Sequence, residues 1–319
     1  MMPCFTPMNH AETAHATAAT RQFAARSSTR RPGERVVEAL LFLSALSSIG
    51  ITVGIVGILL YESFSFFSHV SVVEFLTDTQ WTVLFADPHY GIMPLVAGTV
   101  VTSAVALLVA LPLGTVIAIY LSEYASHRVR EIIKPALEML SAVPTVVFGY
   151  FALLLVTPLL QRLLPDLPGF NMLSAGIVIG IMIIPYVSSL SEDAMRAVPV
   201  QIREGSYAMG ATRLQTALRV LVPSAFSGIA SAYVLGFSRA VGETMVVAIA
   251  AGQQPNLTLN PMQGAATITA YIVQVSLGDL PHGSVAYQSI FAAGLTLMLM
   301  TLVFNIAGYL LRKKFREIY

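Results

Sequence analysis

Six long apolar stretches, at about 37–61, 92–121, 136–160, 172–190, 221–251 and 286–311, decide what solvent this chain can fold in. Each is long enough to cross a bilayer, for which a helix needs roughly 20 residues. None shows the alternating polarity of a barrel strand. An unpaired backbone amide is costly in hydrocarbon, so such runs fold as helices that satisfy their own N–H and C=O groups. Only 11% of the residues are charged and 55% are apolar. A soluble domain carries about a quarter charged residues, so the soluble classes are excluded. The expected fold is all-α and integral to the membrane, with six transmembrane helices.

The segments between the stretches alternate in charge. The segment before the first has Arg21, Arg26, Arg30, Arg31 and Arg35, and the next, 62–91, has Glu62, Glu74, Asp78 and Asp87 with no Lys or Arg. Arg128, Arg130 and Lys134 follow, then a loop with Arg162 alone, then Arg196, Arg203, Arg213 and Arg219. The loop 252–284 again lacks Lys and Arg, and the chain closes on Arg312, Lys313, Lys314 and Arg316. Basic loops stay on the cytoplasmic side, which predicts that both termini are cytoplasmic. Lys134 and Glu138 are four apart and are expected to pair as interfacial anchors.

Residues 1–33 lack the apolar core and small-residue cleavage site of a signal peptide. They are expected to be a disordered cytoplasmic tail, or else to lie upstream of the true start codon. Residues 34–319 then form the membrane domain. The single cysteine, Cys4, excludes an internal disulfide, and the six histidines have no metal-ligand spacing. The loop 252–284 holds Gln253, Gln254, Asn256 and Asn260 among prolines. It either caps helix ends or forms a vestibule or partner surface. No Gly-x-x-x-x-Gly-Lys-Ser/Thr phosphate loop occurs, so any nucleotide-driven step belongs to another chain.

The basic loop at about 191–220 is heavily punctuated. Pro199 suits a first helical position, a short helix at 200–209 is ended by Gly210 in the left-handed region, and Thr212 with Gln215 forms a capping box for a second helix at 213–219. Ile202, Met209, Leu214 and Leu218 are read as its apolar set, and Arg203, Arg213 and Arg219 as its wet side. Such a pair either docks into a groove on a partner or lies on the inner leaflet. Glu204-Gly205-Ser206, three residues, Gly210, nine residues, then Val220-Leu221-Val222-Pro223 resembles the signature loop of the permease subunits of ATP-binding-cassette importers. In that family the pattern is Glu-Ala-Ala, three residues, Gly, nine residues, Ile-x-Leu-Pro. Gly205 and Ser206 replace the alanines, and Val220 and Val222 replace the Ile and Leu. The resemblance implies that Glu204, Gly205, Ser206, Gly210, Arg213 and Pro223 mark a coupling helix that docks on an ATPase subunit.

Arg239 and Glu243 stand in the fifth stretch, four residues apart, with Gly236, Ser238 and Gly242 beside them. On a continuous helix they share a face. A charge near the bilayer centre costs at least about 2.5–3.5 kcal/mol, so they are expected to face protein or a water-filled path. They form either a self-neutralising pair or an anion pathway in which Arg239 meets the solute. Arg239-Ala240-Val241-Gly242-Glu243-Thr244-Met245 and Ser141-Ala142-Val143-Pro144 through Gly149 are similar to segments of phosphate-specific transport permeases. The methionine after the threonine fits the C-type subunits, the PstC family. The resemblance implies a MetI-like type I importer fold. It also implies a PstA-like second permease, two PstB-like ATPases carrying ATP and Mg, and a PstS-like binding protein outside. Arg239 and Glu243 are then pathway residues, with no cofactor on this chain and no bond chemistry of its own. Other oxyanions such as sulfate or molybdate, and an ion-coupled secondary carrier, are the alternatives.

Overall fold

The computed structural model describes residues 32–83, 85, 87–278, 280, 281 and 283–314. The tail expected at 1–33 lies almost wholly outside them, as does Arg316. Every regular element among the described residues is helical, apart from one isolated bridge between Trp81 and Tyr90. Among the described residues five helices are long and apolar enough to cross a membrane, or six if a pair bent by 75° is counted as one span.

The chain divides after Ile58 into two bodies. The first contains the opening part of helix α1, Pro32–Phe67, a single run with apolar residues on every side. The second begins at Leu59 in the last turns of α1. It continues through α2, Val72–Thr77, and α3, Met93–Ile119, which passes through a π turn at Tyr120–Tyr124. The chain then forms α4, His127–Ser141, and α5, Thr145–Phe151, which runs through a π turn at Ala152–Val156 into α6, Thr157–Leu163. The third span is therefore 145–163. The expected start at 136 falls inside α4, which is a separate amphipathic helix. Pro144, at the N-cap of α5, has extended backbone and separates the two.

Helix α7, Met172–Arg196, is the most buried span and packs along α3. In lipid there is no hydrophobic drive between helices, so close van der Waals contact must hold them together. The sequence supplies it with small residues. A Cβ added at Gly180 would stand 2.7 Å from the Ala106 carbonyl oxygen, and one at Gly176 3.0 Å from that of Thr102. Around this pair Ala106, Ala110, Ile179, Ile183, Val187, Ala240 and Val247 form the main core.

After α7 come the short helices α8, Val200–Ala208, and α9, Arg213–Thr216, then a π turn at Ala217–Leu221 and α10, Val222–Ser224. Pro158 and Pro223 each lie two residues beyond a π turn. A proline offers no N–H to the carbonyl four residues back and its ring crowds that carbonyl, which is how such a turn widens. The chain bends by 75° into α11, Phe226–Val241. It breaks again at 242–244 before α12, Met245–Ala250. The fifth stretch, expected as one helix at 221–251, is thus divided twice. Helices α13, Ile268–Ser276, and α14, Val285–Lys314, complete the second body.

Candidate functional site

The break at 242–244 changes the relation between Arg239 and Glu243. The two residues do not stack along a continuous helix, and no ion pair joins them among the described residues. Glu243 is buried at 8% exposure, and its Oε1 accepts from the amides of Met245 at 3.2 Å and Val246 at 3.4 Å. Its carboxylate therefore covers the unpaired N–H groups that open α12, where negative charge is favoured. Thr269 of α13 donates to the Glu243 carbonyl at 2.7 Å and fixes the backbone there. Glu243 is held by helix ends, and the self-neutralising pair with Arg239 is not formed among the described residues.

Arg239 occupies the last turn of α11, where a cation suits the helix dipole. Its guanidinium carbon lies 4.3 Å from the centre of the Tyr186 ring on α7, within cation–π range. Its Nε is buried with no hydrogen-bond partner among the described residues. The side chain is only half-buried. The result is a guanidinium steadied by a ring, with no acid against it and donors to spare. Tyr186 was not anticipated. It is the one aromatic residue in the sequence of α7 and directly follows Pro185, which is the signal that marks it.

A cavity of about 740 Å³ opens at the end of α12. Phe170, Ala248, Gly252, Gln253, Gln254, Asn256 and Gln263 are among the residues that line it. Among the described residues, no charged one stands in its lining.

At the other end of α7 the short helices α8 and α9 keep the expected punctuation. Gly210 has φ +83°, and Thr212 and Gln215 form the reciprocal capping box. Glu204, Gly205, Arg213 and Pro223 are exposed, and Ser206 hydrogen-bonds to Thr216 at 2.9 Å, tying α8 to α9. Met209, Leu214 and Leu218 are exposed as expected, Met209 at 88%. Two residues differ. Ile202 packs inward on the cluster of Met195, Val198 and Leu221. Arg203 is not wet, because its Nε lies 3.1 Å from Glu123 Oε1 in an ion pair, and Glu123 is 2% exposed at its side chain.

A second buried acid was also missed. Glu192 near the end of α7 is fully buried and meets Arg130 at 3.2 Å, Lys134 at 3.1 Å and Arg196 at 3.5 Å. Lys134 also reaches Asp193 at 2.8 Å, so the expected pairing of Lys134 with Glu138 gives way to pairing with α7. Burial alone would lower the Lys134 pKa, but Asp193 and Glu192 outweigh it and raise the value. No cluster of His, Cys, Asp and Glu suited to a metal occurs among the described residues.

These features have relatives. Residues 110–317 match the family described as binding-protein-dependent transport system inner membrane component. The chain belongs to that family. It is 35% identical over 272 residues to a probable ABC transporter permease protein, YqgH, of Bacillus subtilis, covering 85% of this chain and 87% of that one. It is 32% identical over 263 residues to the phosphate transport system permease protein PstC of Mesorhizobium japonicum, covering 75% and 78%. Among solved structures, it superposes with TM-score 0.62 and 16% identity on a chain of a bacterial ABC transporter that imports alginate, covering 89% of this chain and 99% of that one. A chain of the MetNI methionine ABC transporter gives TM-score 0.52 at 18% identity, over 71% and 95%. The MetI-like fold and the resemblance to PstC both hold. This is a multi-pass inner-membrane permease subunit of an ABC importer, a family that works with ATPase and periplasmic binding-protein partners. It is not itself an enzyme.

Proposed function

We propose that this permease subunit carries inorganic phosphate inward as the C-type half of a heterodimer with a PstA-like subunit, on two PstB-like ATPases and fed by a PstS-like binding protein. The observation that carries the reading is Arg239, a guanidinium set in the fifth span with no acid partner and steadied over Tyr186. A planar fork of donors suits the oxygens of a tetrahedral anion. The similarity to chains named PstC supports phosphate among such anions. The alternation of basic and acidic loops supports cytoplasmic termini. That orientation puts the carboxamide-lined cavity outside as a vestibule and the helices α8 and α9 inside as the ATPase dock. ATP and Mg sit on the ATPase chains, and this chain binds no cofactor.

The test is phosphate uptake by proteoliposomes holding the whole complex, native or with Arg239→Gln. Loss of uptake in a complex that still assembles supports the pathway role. Uptake of sulfate or molybdate in preference to phosphate assigns the chain to another oxyanion. Loss of assembly makes Arg239 a packing residue.

A further inference from the structure

Helix α8 is joined to the span before it through a break at Pro199, with Ile202 packed on Met195 and Val198. Pro199 has extended backbone, with ψ 136°, so α7 and α8 do not form one continuous rod. A second attachment runs to a different span. Glu123 lies in the π turn that ends α3, and its side chain is 2% exposed. Tyr207 donates to its Oε2 at 2.7 Å, while Arg203 pairs with its Oε1 at 3.1 Å. Arg203 and Tyr207 are four residues apart, hence neighbours on one face of α8. Gln201, Glu204, Gly205 and Ala208 occupy the opposite, exposed face.

The same π turn is gripped from another side. Arg130 of α4 donates to the Leu121 carbonyl at 2.8 and 3.2 Å and also reaches buried Glu192 of α7. The turn is therefore fixed to α4 and α7 as well as to α8. From it, α3 leads back into the bundle, where Thr115 and Tyr233 share a hydrogen bond at 2.5 Å between α3 and α11. Helix α11 carries Arg239. One contiguous set of contacts thus joins the exposed face of α8 to the span that holds the arginine.

We propose that Glu123 is a positioning residue that locks α8 to the end of α3, so that a push on α8 reaches α3 and α11 and not only α7. The proposal rests on α8 being the face that meets the ATPase. A buried carboxylate that accepts a hydrogen bond from Tyr207 and pairs in charge with Arg203, one helical turn away, resists both sliding and rotation of α8. A single exposed ion pair would resist neither, because such pairs are worth little. The distinguishing measurement reads coupling and not folding.

The experiment uses the complete transporter in proteoliposomes, with Cys4→Ser to remove the chain's one cysteine. Cysteines at Met209 and on the ATPase first test docking by cross-linking. A native complex that does not cross-link there overturns the premise and the proposal with it. Spin labels at Gln201 and Tyr124 then report the spacing of α8 from the end of α3, without nucleotide and with ATP and vanadate. The native spacing is expected to stay constant between the two states. In Tyr207→Phe and Glu123→Gln it is expected to change on trapping, with uptake of inorganic phosphate per ATP hydrolysed falling about fivefold or more, a fall at the size of ordinary coupling between sites. Tyr207→Phe removes one hydroxyl and keeps the ring, so it decides the matter even where Glu123→Gln fails to assemble. Constant spacing in both variants, with native uptake per ATP, overturns the lock. A native complex that hydrolyses ATP but imports no phosphate overturns the substrate reading alone, and the label spacings still judge the lock.

Discussion

Glu192 and Arg239 are both charges in apolar surroundings, and the protein treats them in opposite ways. Glu192 is fully buried and surrounded by Arg130, Lys134 and Arg196. Arg239 is half-buried, rests on a ring, and has no acid against it among the described residues. A buried carboxylate closed in by cations has no capacity left for a solute. Its role is to hold α4 against α7. A guanidinium with free donors keeps its capacity, and its burial cost is met by the helix end and the Tyr186 face. Glu243 belongs with Glu192, since backbone amides engage its Oε1. The difference separates charges closed in by their partners from a guanidinium whose donors stay open, which is the basis for proposing that Arg239 meets the solute.

Removing Glu192 gives the largest effect. Glu192→Ala leaves three cations around an empty site, and breaking a buried pair costs about 3–5 kcal/mol. The purified complex should melt far lower or fail to accumulate in the membrane, as read by size-exclusion profiles and thermal unfolding in detergent. A stable Glu192→Ala complex that no longer transports would reverse the comparison and put Glu192 among the functional charges.

Next in size is Arg239→Lys. It keeps the charge but loses the planar fork and the stacking on Tyr186. Phosphate uptake should fall about tenfold to a hundredfold, equivalent to about 1.4–2.7 kcal/mol, while the melting temperature stays near native. Tyr186→Leu should reproduce part of the fall, because a cation–π contact contributes about 0.5–2 kcal/mol. If Tyr186→Leu transports like the native protein, the ring does not hold the arginine.

Much of this was readable from residue order, and what was not has a common cause. Length and hydropathy mark a span because a bilayer demands them locally, so α3, α7 and α14 fell where the apolar runs placed them. The start of the third span was misjudged because Ala136, Leu137, Met139 and Leu140 of α4 extend the apolar run. The sign of separation was Pro144, whose φ and lost N–H count for more than hydropathy. Two of the three partners of Glu192 lie 58 and 62 residues back in the chain, and only Arg196 lies within one helical turn. A spacing rule sees only three or four residues along a helix and so offered Glu138 to Lys134. Tyr186 and Glu123 escaped for the same reason. Gly210 and the Thr212 capping box were fully readable, because a turn and a cap are decided within a few residues.

Gly210 brings the comparison down to one backbone angle. A Cβ there would touch nothing within 4 Å, so only the φ of +83° opposes a side chain. Gly210→Ala should cost about 1–2 kcal/mol, the left-handed penalty for an L-residue, and leave uptake mostly intact because Ser206 still bonds Thr216. Gly210→Pro cannot reach that φ and also loses the amide bond to the Tyr207 carbonyl. It should uncouple ATP hydrolysis from uptake while the spans remain folded. Equal behaviour of the two variants would show that α8 and α9 need no fixed relation.

The smallest effect belongs to a pair that is neither buried nor free. His89 Nδ1 lies 3.0 Å from Asp78 Oδ2, and Nε2 lies 3.6 Å from Asp87, with the imidazole 40% exposed. The bond to Asp78 raises the His89 pKa above its ordinary 6.5. For Asp78, burial acts to raise the value, but the Gln80 amide and His89 outweigh it and lower the value below 3.8. A raised histidine stabilises fully below 6.5 and loses that contribution as pH rises through its folded value. A lowered aspartate contributes above its ordinary value and loses it as pH falls through the depressed one. The pair therefore holds the loop 78–91 best between the two and loosens toward alkaline pH. Hydrogen exchange, corrected for its intrinsic pH dependence, should show the amides of Thr82 and Gly91, which bond to His89 and Gln80, less protected at pH 8.5 than at 5.5. His89→Gln should remove that difference and leave Glu192 and Arg239 untouched. A loop whose protection ignores pH would mean that an exposed pair contributes nothing here, and that only burial gives a charge pair structural weight.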